Sequence, residues 1–171
     1  MKTTKLILIA ALLCMFTQST VAQDYKTGIG VRLGGLSSGL TVRGFVNPNS
    51  ALEGIATFGR YHFVLTGLYE KFNPIQNAEG LKWFYGGGAH IGFFRYGSTY
   101  YYFTDHGHVV YYYATEPGET ATVAGLDFII GLDYKFHNAP INVGLDLKPF
   151  VDFFDGAVGY WDGAISFRFV F

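Results

Sequence analysis

The twelve residues from Tyr160 to Phe171 alternate between two kinds of side chain, and this alternation strongly limits what the chain can fold into. One set of alternate positions is apolar from Trp161 to Phe171, whereas the other contains Asp162 and Arg168. A repeat of two residues is the period of a β-strand, because successive side chains of a strand point to opposite faces. The segment therefore predicts a strand with one apolar and one polar face.

The same alternation recurs seven more times along the chain. It is found at residues 28–34, 40–46, 52–58, 63–70, 81–94, 125–135 and 141–152. The connections between these segments are rich in Gly, Pro, Asn and Asp, which is typical of turns. The pattern predicts eight strands, an even number, as a single-chain bacterial β-barrel requires.

Charge spacing excludes membrane-spanning helices after residue 22. The longest stretch without Asp, Glu, Lys or Arg runs from Trp83 to Phe94 and has twelve residues, whereas a spanning helix needs about 20. A closed β-barrel is the other structure that satisfies its own backbone hydrogen bonds in lipid. We therefore predict an all-β fold, an eight-stranded antiparallel up-and-down transmembrane β-barrel.

The charged residues of the predicted strands share the polar face. Each would cost up to about 2–4 kcal/mol against mid-bilayer lipid, so this face should point inward and the apolar face outward. An eight-stranded interior is just wide enough for side chains to fill it, so we expect a plugged polar core without an open pore. The expected interior charge network consists of Arg32, Arg43, Glu53, Glu70, Lys82, His90, Asp127, Asp133, Lys135, Asp146, Lys148, Asp152, Asp162 and Arg168.

Residues 1–22 have the organisation of a secretory signal peptide. Lys2 and Lys5 precede an uncharged core from Leu6 to Phe16, and small residues follow up to Ala22. This prediction leaves residues 23–171 as one outer-membrane β-barrel domain. The only cysteine, Cys14, lies within the signal, so the mature chain would have no thiol for disulfides or thiolate catalysis.

The connection at residues 95–121 is much longer than the others and is rich in tyrosine. Two β-prone arms flank a tip that contains Gly107, which indicates a hairpin. Because long loops of bacterial barrels face outside, we expect this hairpin at the cell surface and the turns at 47–50, 73–77 and 137–140 in the periplasm. The expected surface-contact residues are Tyr100, Tyr101, Tyr102, His106, His108, Tyr111, Tyr112 and Tyr113.

The composition and the histidines favour neither nucleic-acid binding nor catalysis. The formal net charge of −1 offers no basic excess to neutralise phosphates. His106 and His108 are two imidazoles without an evident third ligand, so a solvated turn is expected there rather than a metal site. His90 is expected as a hydrogen-bonded core histidine rather than a general base. We therefore predict no catalytic residue, no cofactor and no enzyme activity.

Several segments resemble the small outer-membrane β-barrel family of Gram-negative bacteria. They are GLTVR at 39–43, ALEG at 51–54, LTGLYE at 65–70, WFYGGGAH at 83–90, GLDYKF at 131–136 and LDLKP at 145–149. The alternating aromatic residues Phe167, Phe169 and Phe171 are similar to the C-terminal signal that the outer-membrane assembly machinery recognises in such barrels. The resemblance implies the barrel fold, a location in outer-membrane lipid and contact with that machinery during biogenesis, but no established activity.

These observations favour an integral outer-membrane protein with a structural or surface-interaction role and an unknown extracellular partner. Two alternatives stay open. One is an outer-membrane enzyme or secretion accessory built on the same barrel. The other is a soluble lipocalin-like barrel, whose apolar face would point inward to hold a ligand.

Overall fold

The computed structural model describes residues 25–59, 62–95, 101–103, 109–111, 120–153 and 157–171, so the predicted signal peptide at 1–22 lies outside the described residues. Within these ranges, no helix is long and apolar enough to cross a membrane. The strands are β1 (Thr27–Gly34), β2 (Gly39–Asn47), β3 (Ser50–Phe58), β4 (His62–Pro74), β5 (Leu81–Arg95), β6 (Tyr101–Phe103), β7 (Val109–Tyr111), β8 (Thr120–Lys135), β9 (Ile141–Phe153) and β10 (Ala157–Val170).

Eight of the strands form a closed barrel in the order β1-β10-β9-β8-β5-β4-β3-β2. All neighbours are antiparallel, and β1 closes the barrel by pairing with β10, where Gly30 lies opposite Arg168. The all-β, eight-stranded antiparallel up-and-down architecture predicted from the alternation is therefore confirmed.

The predicted tyrosine-rich hairpin is present as a separate two-stranded sheet of β6 and β7. Its register places Tyr101 opposite Tyr111 and Tyr102 opposite Val110. The other expected contact residues lie outside the described residues; they are Tyr100, His106, His108, Tyr112 and Tyr113.

The two ends of the barrel have different connections. End A is defined by residues 48–49, 75–80 and 136–140, where the three predicted Pro/Asn turns lie, and by the start of β1 and the end of β10. End B carries the connections at 35–38, 59–61, 96–119 and 154–156. The 75–80 turn contains two residues in the left-handed region, Asn77 and Gly80, which suits asparagine and glycine.

The barrel buries polar side chains and exposes apolar ones, the reverse of an ordinary soluble domain. Among the described residues, 18 buried side chains are polar or charged and 11 are hydrophobic, whereas 29 large hydrophobic side chains are exposed. The alternation produces this arrangement directly: along β10, for example, Phe167 and Phe169 are exposed and Arg168 is buried.

Glycines let the inner surfaces of adjacent strands approach closely. A Cβ added to Gly30 would lie 1.9 Å from the carbonyl oxygen of Phe167, and one on Gly88 would lie 1.8 Å from that of Gly67. No side chain fits at these distances, so glycine is required at both positions.

Candidate functional site

The first group of buried charges, the Arg43 cluster, consists of Arg43, Glu53, Glu70, Asp133 and Arg168. The Arg43 guanidinium contacts three carboxylates: Nη2 lies 2.6 Å from Glu53, Nε 2.9 Å from Glu70 and Nη1 2.7 Å from Asp133. Arg168 Nη2 lies 2.6 Å from the second oxygen of Glu53. The five side chains come from β2, β3, β4, β8 and β10, so the cluster crosses the whole lumen.

Aromatic rings enclose the Arg43 cluster on the side of end A. The Arg43 guanidinium carbon lies 5.0 Å from the ring centres of both Phe72 and Phe84, at distances that suit cation–π contact. Phe72 and Phe84 stack with their centres 5.1 Å apart, and Phe45 packs beside Phe72. The guanidinium is therefore held by both charge and packing.

Neutral polar side chains complete the Arg43 cluster. The Thr41 hydroxyl donates to Glu53, and Asn142 Nδ2 donates to Asp133 at 2.7 Å. Tyr25, just before β1, donates its hydroxyl to Asp133 at 3.4 Å. Burial, together with the nearby Asp133 charge, raises the pKa of the Tyr25 phenol well above its ordinary value, so the phenol keeps its proton.

The second group, the Arg32 cluster, joins Arg32, Ser37, Asp146 and Asp162. Arg32 lies 2.5 Å from Asp146 and 3.1 Å from Asp162, and donates to the Ser37 carbonyl at 2.8 Å. The backbone N–H groups of Leu36 and Ser37 donate to Asp162 at 2.9 and 3.1 Å. These contacts tie the β1–β2 connection to β10 at end B.

The third group, the His90 cluster, joins His90, Asp127, Lys148 and Asp152 nearer end B. His90 Nδ1 lies 2.7 Å from Asp127, and Nε2 lies 2.9 Å from Asp152. Lys148 Nζ lies 2.5 Å from the other Asp127 oxygen. Because a carboxylate faces each ring nitrogen, neither nitrogen is available to take a proton from a substrate. This geometry suits a structural histidine.

Twelve of the fourteen expected network residues belong to these three clusters, and the other two lie at the rim of end A. Lys82 is half-buried, with its ammonium 5.8 Å from the centre of the Phe45 ring. Lys135 is half-buried and donates to the carbonyl oxygens of Phe136 and Ala139. These lysines therefore lie where the lumen opens rather than among the buried charges.

Sequence reasoning missed the uncharged members of the clusters. Thr41 and Asn142 are fully buried, and Tyr25 and Ser37 nearly so. Thr41 and Asn142 lie at the same alternate positions as Arg43 and Asp146, so the period of two was a usable signal for them. Ser37 lies in a connection and Tyr25 before the first strand, where no periodicity applies.

The outer surface forms an apolar wall with aromatic side chains toward both strand ends. On β10 the outward positions from Trp161 to Phe171 cover about 25 Å along the barrel axis. This length follows from a rise of about 3.3 Å per residue and a strand tilt of about 40° from the axis. The exposed aromatics toward end A are Tyr69, Trp83, Tyr85, Phe136, Phe167, Phe169 and Phe171, and those toward end B are Phe58, Phe93, Phe153 and Trp161.

Neither the metal-ligating residues nor a comparison with known proteins indicates a further site in the part of the chain that the structure describes. Among the described residues, no group of three or more His, Cys, Asp or Glu side chains could hold a metal ion. No protein-family model and no curated protein matches the chain.

Proposed function

We propose that this protein is an integral β-barrel of the bacterial outer membrane with a structural or surface-interaction role, and that the tyrosine-rich hairpin within residues 95–121 is its contact element. The observation that carries the proposal is the inverted distribution of side chains, with charges paired in the lumen and apolar side chains on the outer wall. An exposed apolar surface of this extent needs a non-aqueous surrounding.

The dimensions of the outer wall support a membrane location. Its height of about 25 Å, with aromatic residues toward both edges, is that of the apolar band of outer-membrane barrels. A soluble lipocalin-like barrel would have the opposite arrangement, with charges in water. Residues such as Arg43 and Phe128, the first fully buried and the second 60 % exposed, therefore argue against that alternative.

The contacts in the lumen support a structural role over an enzymatic one. The charged side chains of the three clusters contact each other across the barrel, as expected for filling rather than for a substrate site. Catalysis in the lumen would also need an opening. Conductance across a planar bilayer close to zero is the result expected for a plugged lumen.

Cell fractionation tests the membrane location. We expect the mature protein in the outer-membrane fraction, as a band whose electrophoretic mobility changes on heating. Recovery in the soluble periplasmic fraction would overturn the proposal and favour the soluble barrel.

Epitope insertion tests the orientation. A tag inserted after Gly107 should be detected on intact cells, whereas a tag after Asn138, in an end-A turn, should require permeabilised cells. The reverse pattern would place the hairpin in the periplasm and remove its proposed role at the cell surface.

Deletion of residues 98–115 tests the role of the hairpin. The variant should keep its heat-modifiable mobility and lose any surface binding of the intact protein. In a control variant with the length of the intact protein, serine replaces Tyr100, Tyr101, Tyr102, Tyr111, Tyr112 and Tyr113. This variant should lose the same surface binding. If the deletion prevents barrel folding, the segment is structural.

A further inference from the structure

Lys71 is an exposed cation on the apolar outer wall. The outward positions of β4 include Leu65 and Tyr69, and Lys71 continues this row toward end A. In the β4–β5 register Lys71 lies opposite Tyr85. Trp83, the next outward residue of β5, stacks on Tyr85 with ring centres 5.5 Å apart. The ammonium therefore shares the edge of the wall with three aromatic side chains.

This combination suits the boundary between lipid chains and headgroups. A lysine lays its methylene stem along an apolar surface and keeps its ammonium at the polar boundary. Tryptophan and tyrosine occupy the same level of a bilayer. A cation at this level meets lipid phosphates, and one lysine favours an anionic surface by about fivefold.

The described residues at end A carry a positive charge outside the three clusters. Lys26, Lys71, Lys82 and Lys135 lie there with one carboxylate, Glu79, so the net side-chain charge of these five residues is +3. An anionic lipid headgroup is therefore complementary to end A.

We propose that the outer wall around Lys71 binds the headgroup of an anionic glycerophospholipid, with the lipid phosphate at the ammonium and Trp83 and Tyr85 beside the glycerol region. This inference rests on the proposed membrane location. Bacterial barrels carry their long loops on the outer side, and the one long connection, residues 96–119 between β5 and β8, follows the end-B end of β5. End A therefore faces the leaflet of glycerophospholipids rather than that of lipopolysaccharide.

The two tryptophans of the chain provide matched reporters. Trp83 lies on the outer wall toward end A beside this surface, and Trp161 lies on the outer wall toward end B. The Trp161→Phe variant therefore reports on the lipids at end A, and the Trp83→Phe variant on those at end B. Each is reconstituted into phosphatidylcholine bilayers containing 30 % phosphatidylglycerol, with brominated acyl chains on one lipid or the other.

Quenching by the brominated lipids gives the relative affinity for the two headgroups. We expect Trp83 to report an affinity for phosphatidylglycerol about three- to fivefold higher than for phosphatidylcholine, and Trp161 to report equal affinities. The Lys71→Gln variant should bring this affinity ratio at Trp83 close to one, whereas Lys71→Arg should retain the preference. Arg60→Gln, which removes the same charge from the sequence between β3 and β4, should leave this affinity ratio at Trp83 unchanged.

The outcomes separate this inference from the proposed function. If brominated phosphatidylcholine quenches neither tryptophan, the barrel is not in the bilayer and the proposed function fails. If both are quenched but Trp83 shows no phosphatidylglycerol preference, only the lipid-binding surface is overturned. A preference that survives Lys71→Gln also overturns it, because the selectivity then arises elsewhere.

Discussion

Removal of the Arg43 charge should strongly destabilise the barrel. The guanidinium lies within 2.9 Å of oxygens of Glu53, Glu70 and Asp133 and is fully buried. Arg43→Met keeps an apolar stem of similar length against Phe72 and removes all three ion contacts. Arg168 then remains as the cation beside three buried carboxylates.

The magnitude follows from the cost of an uncompensated buried charge. Breaking a buried ion pair by removing one partner costs about 3–5 kcal/mol, a large part of a typical total stability of about 5–15 kcal/mol. Glu70 contacts Arg43 directly, so adding Glu70→Gln to Arg43→Met removes one stranded charge. This second change should restore roughly 1–3 kcal/mol.

Urea unfolding in zwitterionic micelles, followed by tryptophan fluorescence and by heat-modifiable mobility, measures the free energy of unfolding. Lys71→Gln is the control, because the loss of an exposed charge should change this free energy by less than about 0.5 kcal/mol. A cost of less than about 1 kcal/mol for Arg43→Met, or a double variant no more stable than the single one, would show that Arg43 does not compensate these buried carboxylates.

Three further changes test the wall, the barrel closure and the His90 cluster. Leu145→Arg, on the outer wall, should cost about 2–4 kcal/mol in bilayers; a change near zero in urea unfolding would mean that this position does not face lipid. Gly30→Val should abolish the heat-modifiable folded band because its side chain overlaps the neighbouring strand, whereas Gly67→Val, with no atom within 4 Å of the added Cβ, should fold. His90→Leu should raise backbone hydrogen exchange at residues 150–153, because the Asp152 carboxylate loses its contact with His90. Unchanged exchange would show that the His90–Asp152 contact does not hold this end of β9.

The architecture was predictable because it depends on local patterns. A strand with one apolar and one polar face needs only the alternation of residues such as Asp162 and Phe167, and each connection is marked by its own turn residues. The eight barrel strands pair in the order in which they follow one another along the chain, with the β6–β7 sheet left outside the barrel and β1 closing on β10. Strand number, order and the facing of each side chain thus followed from local sequence.

The pairing of the charges was not predictable because it depends on the stagger of the strands around the barrel. Arg43 and Asp133 are 90 residues apart in the chain and meet across the lumen. The alternation places both side chains in the lumen but does not give their positions along the barrel axis. The inward Phe72 and Phe84 were also missed as partners of Arg43, since aromatic residues on a polar face carry no distinctive signal.

The apolar face of each strand and the positions of the turns can be predicted from the amino acids alone, because both properties belong to a few consecutive residues. Only the closed barrel shows which carboxylate meets which cation, that the β1–β2 connection at Ser37 is bound to Asp162, and that Lys82 and Lys135 lie at the rim of end A. These outcomes depend on barrel closure and strand register, which set the distances between side chains far apart in the sequence.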